Sequence, residues 1–237
     1  MKGCQRVIDA GVEWHAGALL GHGSDSVREG MCRLLSVVAG GTSDQISSLL
    51  SMTEEIGTVI RMAESETGGS GGWSVRKSAM SVLTDVTTWG DDPHVKSLVE
   101  MGGVSPLCLA LTSSDDIGTI SAALGAIRRI LDVDFTSGEQ ELNFEERVYR
   151  AGGHYGVRRL TKHPDAEIRK AASYVANFRM TFRVDRSRAD TGLSDSWEEQ
   201  EQQDIASTTS SDPSLATTTK KSHFKFKWMK RGGRKTN

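Results

Sequence analysis

The densest run of chemically capable side chains lies at the C-terminus. Lys220, Lys221, Lys225, Lys227, Lys230, Arg231, Arg234 and Lys235 fall within residues 220–237, which hold no acid, and Phe224, Phe226, Trp228 and Met229 are interleaved with them. Cations alternating with aromatics suit an anionic partner. Ammonium and guanidinium groups meet phosphates while rings stack on bases or enter a lipid surface, so RNA and an anionic membrane are candidate partners. The same run also reads as a solvated terminus, or as a basic peptide that a protein groove holds, in cis or on another molecule. All three charged readings carry a strong salt dependence.

Elsewhere the residues do not assemble into a catalytic set. The histidines at 15, 22, 94, 154, 163 and 223 are scattered. His15 and His22 are seven apart, but Gly21-His22-Gly23 interrupts a shared helix and no acidic ligands accompany them. Gly68-Gly69-Ser70-Gly71-Gly72 follows no strand and precedes no Lys-Ser/Thr, so it reads as a flexible insert, not a phosphate cradle. Asp91-Asp92-Pro93 is a helix start, where carboxylates favour the positive end of the dipole, and not an acid–base pair. Cys4, Cys32 and Cys108 are odd in number and far apart, without a Cys-x-x-Cys pair. They read as reduced, buried residues of an intracellular protein. No enzyme activity, metal or cofactor is expected.

The elements that must carry this surface are helical. The 237 residues include only four prolines, 25 % charged and 6 % aromatic residues, and the net charge is −2, so no whole-chain imbalance selects nucleic acid or membrane. The first residues lack the apolar core of a secretory signal, and no apolar run approaches the ~18 residues of a membrane span. Apolar ladders at helical spacing run through Val27, Met31, Leu34, Leu35 and Val38, through Val75, Ala79, Val82, Leu83 and Val86, through Ile120, Leu124, Ile127 and Leu131, and through Ile168, Ala171, Ala172, Val175 and Phe178. Prolines 93, 106 and 164 fit first helical turns.

A short phrase precedes these ladders. It appears as Val7-Ile8-Asp9-Ala10-Gly11-Val12, as Leu98-Val99-Glu100-Met101-Gly102-Gly103-Val104 and as Val148-Tyr149-Arg150-Ala151-Gly152-Gly153, with a worn copy lacking glycine at Leu49-Leu50-Ser51-Met52. The starts are 42, 49 and 50 residues apart. That period belongs to stacked helical repeats, each a short helix, a glycine turn, a second helix and a longer third helix. The extra length in two intervals is assigned to the 68–72 insert and to an insert over 134–142. The expected architecture is an all-α right-handed superhelical solenoid of about 3.5 repeats over residues 1–182. Residues 183–219, with eight acids against three bases and little apolar content, read as a disordered linker. Residues 220–237 form the basic-aromatic tail.

The phrases resemble armadillo repeats, and more narrowly the C-terminal repeats of the importin-alpha (karyopherin-alpha) family. The resemblance spans roughly residues 4–180. It rests on Gln5-Arg6-Val7-Ile8-Asp9-Ala10-Gly11, on Gly40-Gly41-Thr42-Ser43-Asp44-Gln45-Ile46, and on Leu98 through Ser105-Pro106-Leu107-Cys108. It implies a nuclear-transport adaptor, present in cytoplasm and nucleus, with cargo peptides and transport receptors as partners. The matching region for the export receptor is roughly 104–180. In that family each long helix carries a Trp and, four residues on, an Asn. The indole faces hold Lys and Arg stems, and the amide pairs with peptide backbone.

Here those places fall on Arg33 and Val37, then Ser81 and Asp85, and a third long helix over 117–133 has no aromatic. Arg33 repels a Lys-rich cargo, Val37 offers no hydrogen bond, and Asp85 accepts without donating. A non-transport scaffold is therefore the alternative reading. Trp14, Trp73 and Trp89 read as core or junction aromatics. The family's basic N-terminal arm and early repeats are not in the sequence, which reads as a truncated chain or a shortened, diverged member. An apolar solenoid end is then exposed, and self-association or marginal stability follows.

Overall fold

The computed structural model describes residues 2–65, 70–137 and 143–178. The expected acidic linker and basic-aromatic tail lie outside the described residues, as do Gly68, Gly69 and the side chains of Cys4 and Phe178. Described residues form twelve helices and no strand, in four consecutive triplets. The triplets are α1 (Lys2–Asp9), α2 (Val12–Leu20) and α3 (Asp25–Ala39); α4 (Ser43–Ser51), α5 (Thr53–Glu64) and α6 (Ser70–Trp89); α7 (Asp92–Glu100), α8 (Val104–Ser113) and α9 (Ile117–Ser137); α10 (Phe144–Arg150), α11 (Gly153–Leu160) and α12 (Ala166–Phe178). A full fourth triplet stands where the phrases alone give about three and a half. No single described helix is long and apolar enough to cross a membrane.

Like helices stack on like. α3 contacts α6, α6 contacts α9, and α9 contacts α12; α2, α5, α8 and α11 form a parallel row in the same order. One continuous core results. Leu35, Leu83, Ile127 and Ala172 are wholly or almost wholly buried on successive long helices. Each triplet is too small to cover its own apolar faces, so the neighbour supplies the cover.

The glycines of the phrase do two separate jobs. Gly11, Gly102 and Gly152 have φ of +75°, +95° and +74°, a left-handed turn that side chains resist. The second glycine is needed for space. A Cβ on Gly153 would lie 2.7 Å from Cys108 Sγ and from Val148 Cγ1, and one on Gly103 would lie 2.8 Å from Leu98 Cγ. The worn copy needs neither, because α4 passes to α5 through Met52 alone, at φ −81°.

Two expected inserts are shorter than the sequence suggests. α6 begins at Ser70, so Gly71 and Gly72 lie in its first turn, and α9 continues through Asp134 to Ser137. The longer α9 includes Phe135, which is exposed, so this helix does carry an aromatic. Pro93 and Pro106 lie in first turns as expected, but Pro164 precedes α12 by two residues. Trp14, Trp73 and Trp89 are 81 %, 40 % and 59 % exposed, so they are not core residues.

Candidate docking face and its supports

The long helices keep a common register. The buried set Met31, Cys32, Leu35, Val38 and Ala39 of α3 recurs as Ala79, Met80, Leu83, Val86 and Thr87 on α6, and as Ala123, Leu124, Ile127, Ile130 and Leu131 on α9. Arg33 therefore corresponds to Ser81 and Gly125, and Val37 to Asp85 and Arg129. The first two pairs are those the sequence singles out; Gly125 and Arg129 continue the row on α9.

Each position is chemically distinct. Arg33 is exposed and pairs with Glu29 at 2.6 Å, one turn away. Val37 is exposed. Ser81 turns its hydroxyl back to the Lys77 carbonyl at 3.1 Å, and Gly125 has open space around it. Asp85 accepts a hydrogen bond from Ser36 Oγ across the α3–α6 seam. Burial pushes the Asp85 carboxyl above its ordinary range, and the Ser36 hydroxyl partly offsets that. Arg129 donates to Asp92 Oδ1 at 2.7 Å, and the neighbouring Arg128 guanidinium lies 5.4 Å over the Tyr174 ring of α12. Arg33, Arg128 and Arg129 are thus each held by an acid or an aromatic ring.

Polar clamps hold the triplets in register. His94 accepts the Asp91 amide at Nδ1, 3.0 Å, which leaves the proton on Nε2 to donate to Ser47 Oγ at 2.8 Å in the preceding triplet. That tautomer also prevents His94 from acting as a base toward Ser47, since the nitrogen facing the hydroxyl carries hydrogen. Arg147 donates to the Val99 carbonyl at 3.2 Å and Arg159 to the Thr112 carbonyl at 3.3 Å, closing the ends of α7 and α8. Lys77 of α6 reaches Asp116 at 3.3 Å, whose carboxylate caps α9 through the Thr119 amide at 2.9 Å. The Thr119 hydroxyl is the main reason the Asp116 pKa is lowered.

Two histidines that look scattered in sequence do the same work. His22 Nδ1 accepts the Ser24 amide and its carbonyl accepts from Arg28; His163 Nδ1 accepts the Asp165 amide and its carbonyl accepts from Arg169. Both are His-x-Ser/Asp-x-x-x-Arg, joining the second helix to the third. In the third triplet Ser114 Oγ takes the imidazole's place, accepting the Asp116 amide at 3.2 Å. The shared spacing was the available signal. Among the described residues no three His, Cys, Asp or Glu side chains converge to hold a metal ion.

The family profile described as Armadillo/beta-catenin-like repeat matches residues 91–132, which run from the start of α7 through most of α9. A designed armadillo repeat protein superposes with a TM-score of 0.60 at 22 % identity, covering 74 % of this chain and 67 % of its own. The chain has an armadillo-type solenoid fold, and its third triplet matches the repeat profile. An engineered protein gives a TM-score of 0.54 at 25 % identity, covering 68 % of this chain and 59 % of its own. Computationally designed armadillo repeat proteins for modular peptide recognition give 0.59 at 22 % identity, covering 72 % and 66 %. The chain thus spans about three fifths to two thirds of the length of these structures. No curated protein matches it in sequence.

Proposed function

We propose that this armadillo protein docks an extended segment of another protein across α3, α6, α9 and α12. The observation that carries the reading is the repeated register. The exposed or half-exposed positions Arg33, Ser81 and Gly125, and again Val37, Asp85 and Arg129, recur once each on α3, α6 and α9. Long helices in such a stack lie ~10 Å apart, about three residues of an extended chain, so one partner segment meets each helix in turn. The low relief at Ser81 and Gly125 leaves room for its backbone.

The finer reading is an importin-alpha-like transport adaptor that moves between cytoplasm and nucleus. The phrases at Gln5–Gly11, Gly40–Ile46 and Leu98–Cys108 favour it. The chemistry of the face favours a non-transport scaffold, because Arg33 and Val37 stand where a basic peptide needs an indole and an amide. In the scaffold reading the tail from Lys220 to Lys235 supplies contact with RNA or an anionic membrane.

Titration of a basic localisation peptide against the full chain separates these readings. Binding that weakens with salt supports the adaptor. No binding at low salt rejects it and leaves the scaffold. Arg33→Trp with Val37→Asn and Ser81→Trp with Asp85→Asn then tests the register. Each restored indole–cation contact contributes about 0.5–2 kcal/mol, so failure of the quadruple variant to gain affinity refutes the proposed face.

A further inference from the structure

We propose that the outer corner formed by α10 and α11 docks a short acidic peptide segment. The long-helix face takes no part in it, and the inference stands independently of that reading. From Arg147 to Pro164 the chain contains Arg147, Arg150, Arg158, Arg159 and Lys162 and no acid. The bias is local. Residues 1–137 hold ten Lys/Arg against seventeen Asp/Glu, whereas residues 143–178 hold seven against four.

The cations at this corner have different duties. Arg147 and Arg159 are engaged with the carbonyls of Val99 and Thr112, and Arg150 pairs with Glu146 at 2.6 Å. Arg158 is exposed and lies close enough to His154 to act on its charge. His154 lies one turn earlier on the same side of α11, and the Tyr149 ring packs 6.0 Å from the imidazole, centre to centre. Burial first, and Arg158 second, hold the His154 pKa below its ordinary value. Lys162 follows Arg158 by four residues. The strip therefore offers cations and an aromatic shelf with no carboxylate on α11. Like charges one turn apart repel mildly, and an anion laid along them removes the repulsion.

The length of the strip selects the partner. α11 has eight residues, about 12 Å of helix. Duplex nucleic acid carries a charge every ~1.7 Å and extends far past that length. It would run onto the acid-rich preceding triplets. A peptide with a few consecutive Asp or Glu residues places its charge on the strip alone.

The test uses the full chain with the eight Lys/Arg of residues 220–235 changed to Gln, so that the tail cannot supply the binding. The probes are a fluorescent Asp/Glu-rich decapeptide, a Lys-rich decapeptide and a duplex DNA, followed by anisotropy at about 50 mM salt. The expected result is salt-sensitive binding of the acidic peptide. It falls about tenfold or more in Arg158→Glu/Lys162→Glu, and Arg158→Lys retains it. Should the double variant lose helicity by circular dichroism, Arg158→Gln takes its place, with a loss of about threefold expected. No acidic-peptide binding, unchanged binding in the α11 variant, or tighter binding of DNA than of peptide each overturns the proposal.

Discussion

Gly153→Ala and Gly125→Ala are the same chemical change and should act with opposite sign. At Gly153 the added methyl would meet Cys108 Sγ and Val148 Cγ1 at 2.7 Å and the Val148 carbonyl at 3.0 Å. Ordinary contact is about 3.5–4.0 Å, so two side chains must move by close to 1 Å and a backbone oxygen blocks retreat. Overpacking of this kind costs about 1–3 kcal/mol, against a gain of about 0.5–1 kcal/mol from replacing a helical glycine. The net expectation is a loss of about 1–2 kcal/mol. It is felt where α11 meets α8, so it should loosen α10–α12 before the rest. At Gly125, inside α9, nothing lies within 4 Å of the new methyl, and the change should stabilise by about 0.5–1 kcal/mol. Urea unfolding gives both totals. Hydrogen exchange gives the location, with protection in α11 and α12 falling about tenfold for a 1.4 kcal/mol loss in Gly153→Ala. A neutral or stabilising Gly153→Ala would refute the close-approach account of the second glycine.

Other expectations concern buried polar groups. Burial raises the Cys32 thiol from 9.0 to about 11 and the Cys108 thiol from 9.0 to about 12, so both folded thiols stay protonated when their unfolded counterparts ionise. Their contribution is complete below pH 9 and is lost as pH rises through the folded values, so stability should fall across that window and fall less in Cys108→Ala. Both thiols should resist alkylation at pH 8 until the chain unfolds, which mass spectrometry after maleimide treatment checks. Asp85 has a raised pKa, so its ionised form burdens the folded state; Asp85→Asn should raise the thermal midpoint at pH 7 and match the parent in acid, where both are neutral. His94→Ala removes two hydrogen bonds and should cost about 1–3 kcal/mol, measured by urea unfolding, with Ser47→Ala costing less.

The architecture was legible because its determinants are periodic. Ladders such as Val75, Ala79, Val82, Leu83 and Val86 need only helical spacing, and all five of these residues are buried. Helix ends were harder. Gly71 and Gly72 look like a linker, yet they lie in the first turn of α6, which packs on neighbouring helices regardless of local propensity. Of the core or junction reading of the tryptophans only the junction half holds: Trp89 is the last residue of α6, and Trp14, Trp73 and Trp89 are all exposed. Arg33 and Ser81, and Val37 and Asp85, hold equivalent places on α3 and α6, because the buried residues around them repeat in the same order. Arg76 spans the Ala63 carbonyl and Ser113 Oγ, contacts 13 and 37 residues away. Such contacts depend on how triplets are superposed, and no local pattern announces them.

The guanidiniums of Arg147 and Arg159 give the stack a direction. Both belong to the fourth triplet and both serve carbonyls of the third. Losing the last triplet would strip those two helix ends of their donors and invite water into them. Fraying should accordingly travel from the C-terminal side inward, one layer at a time, and a ligand that clamps the final layer would quiet the layers beneath it without touching them.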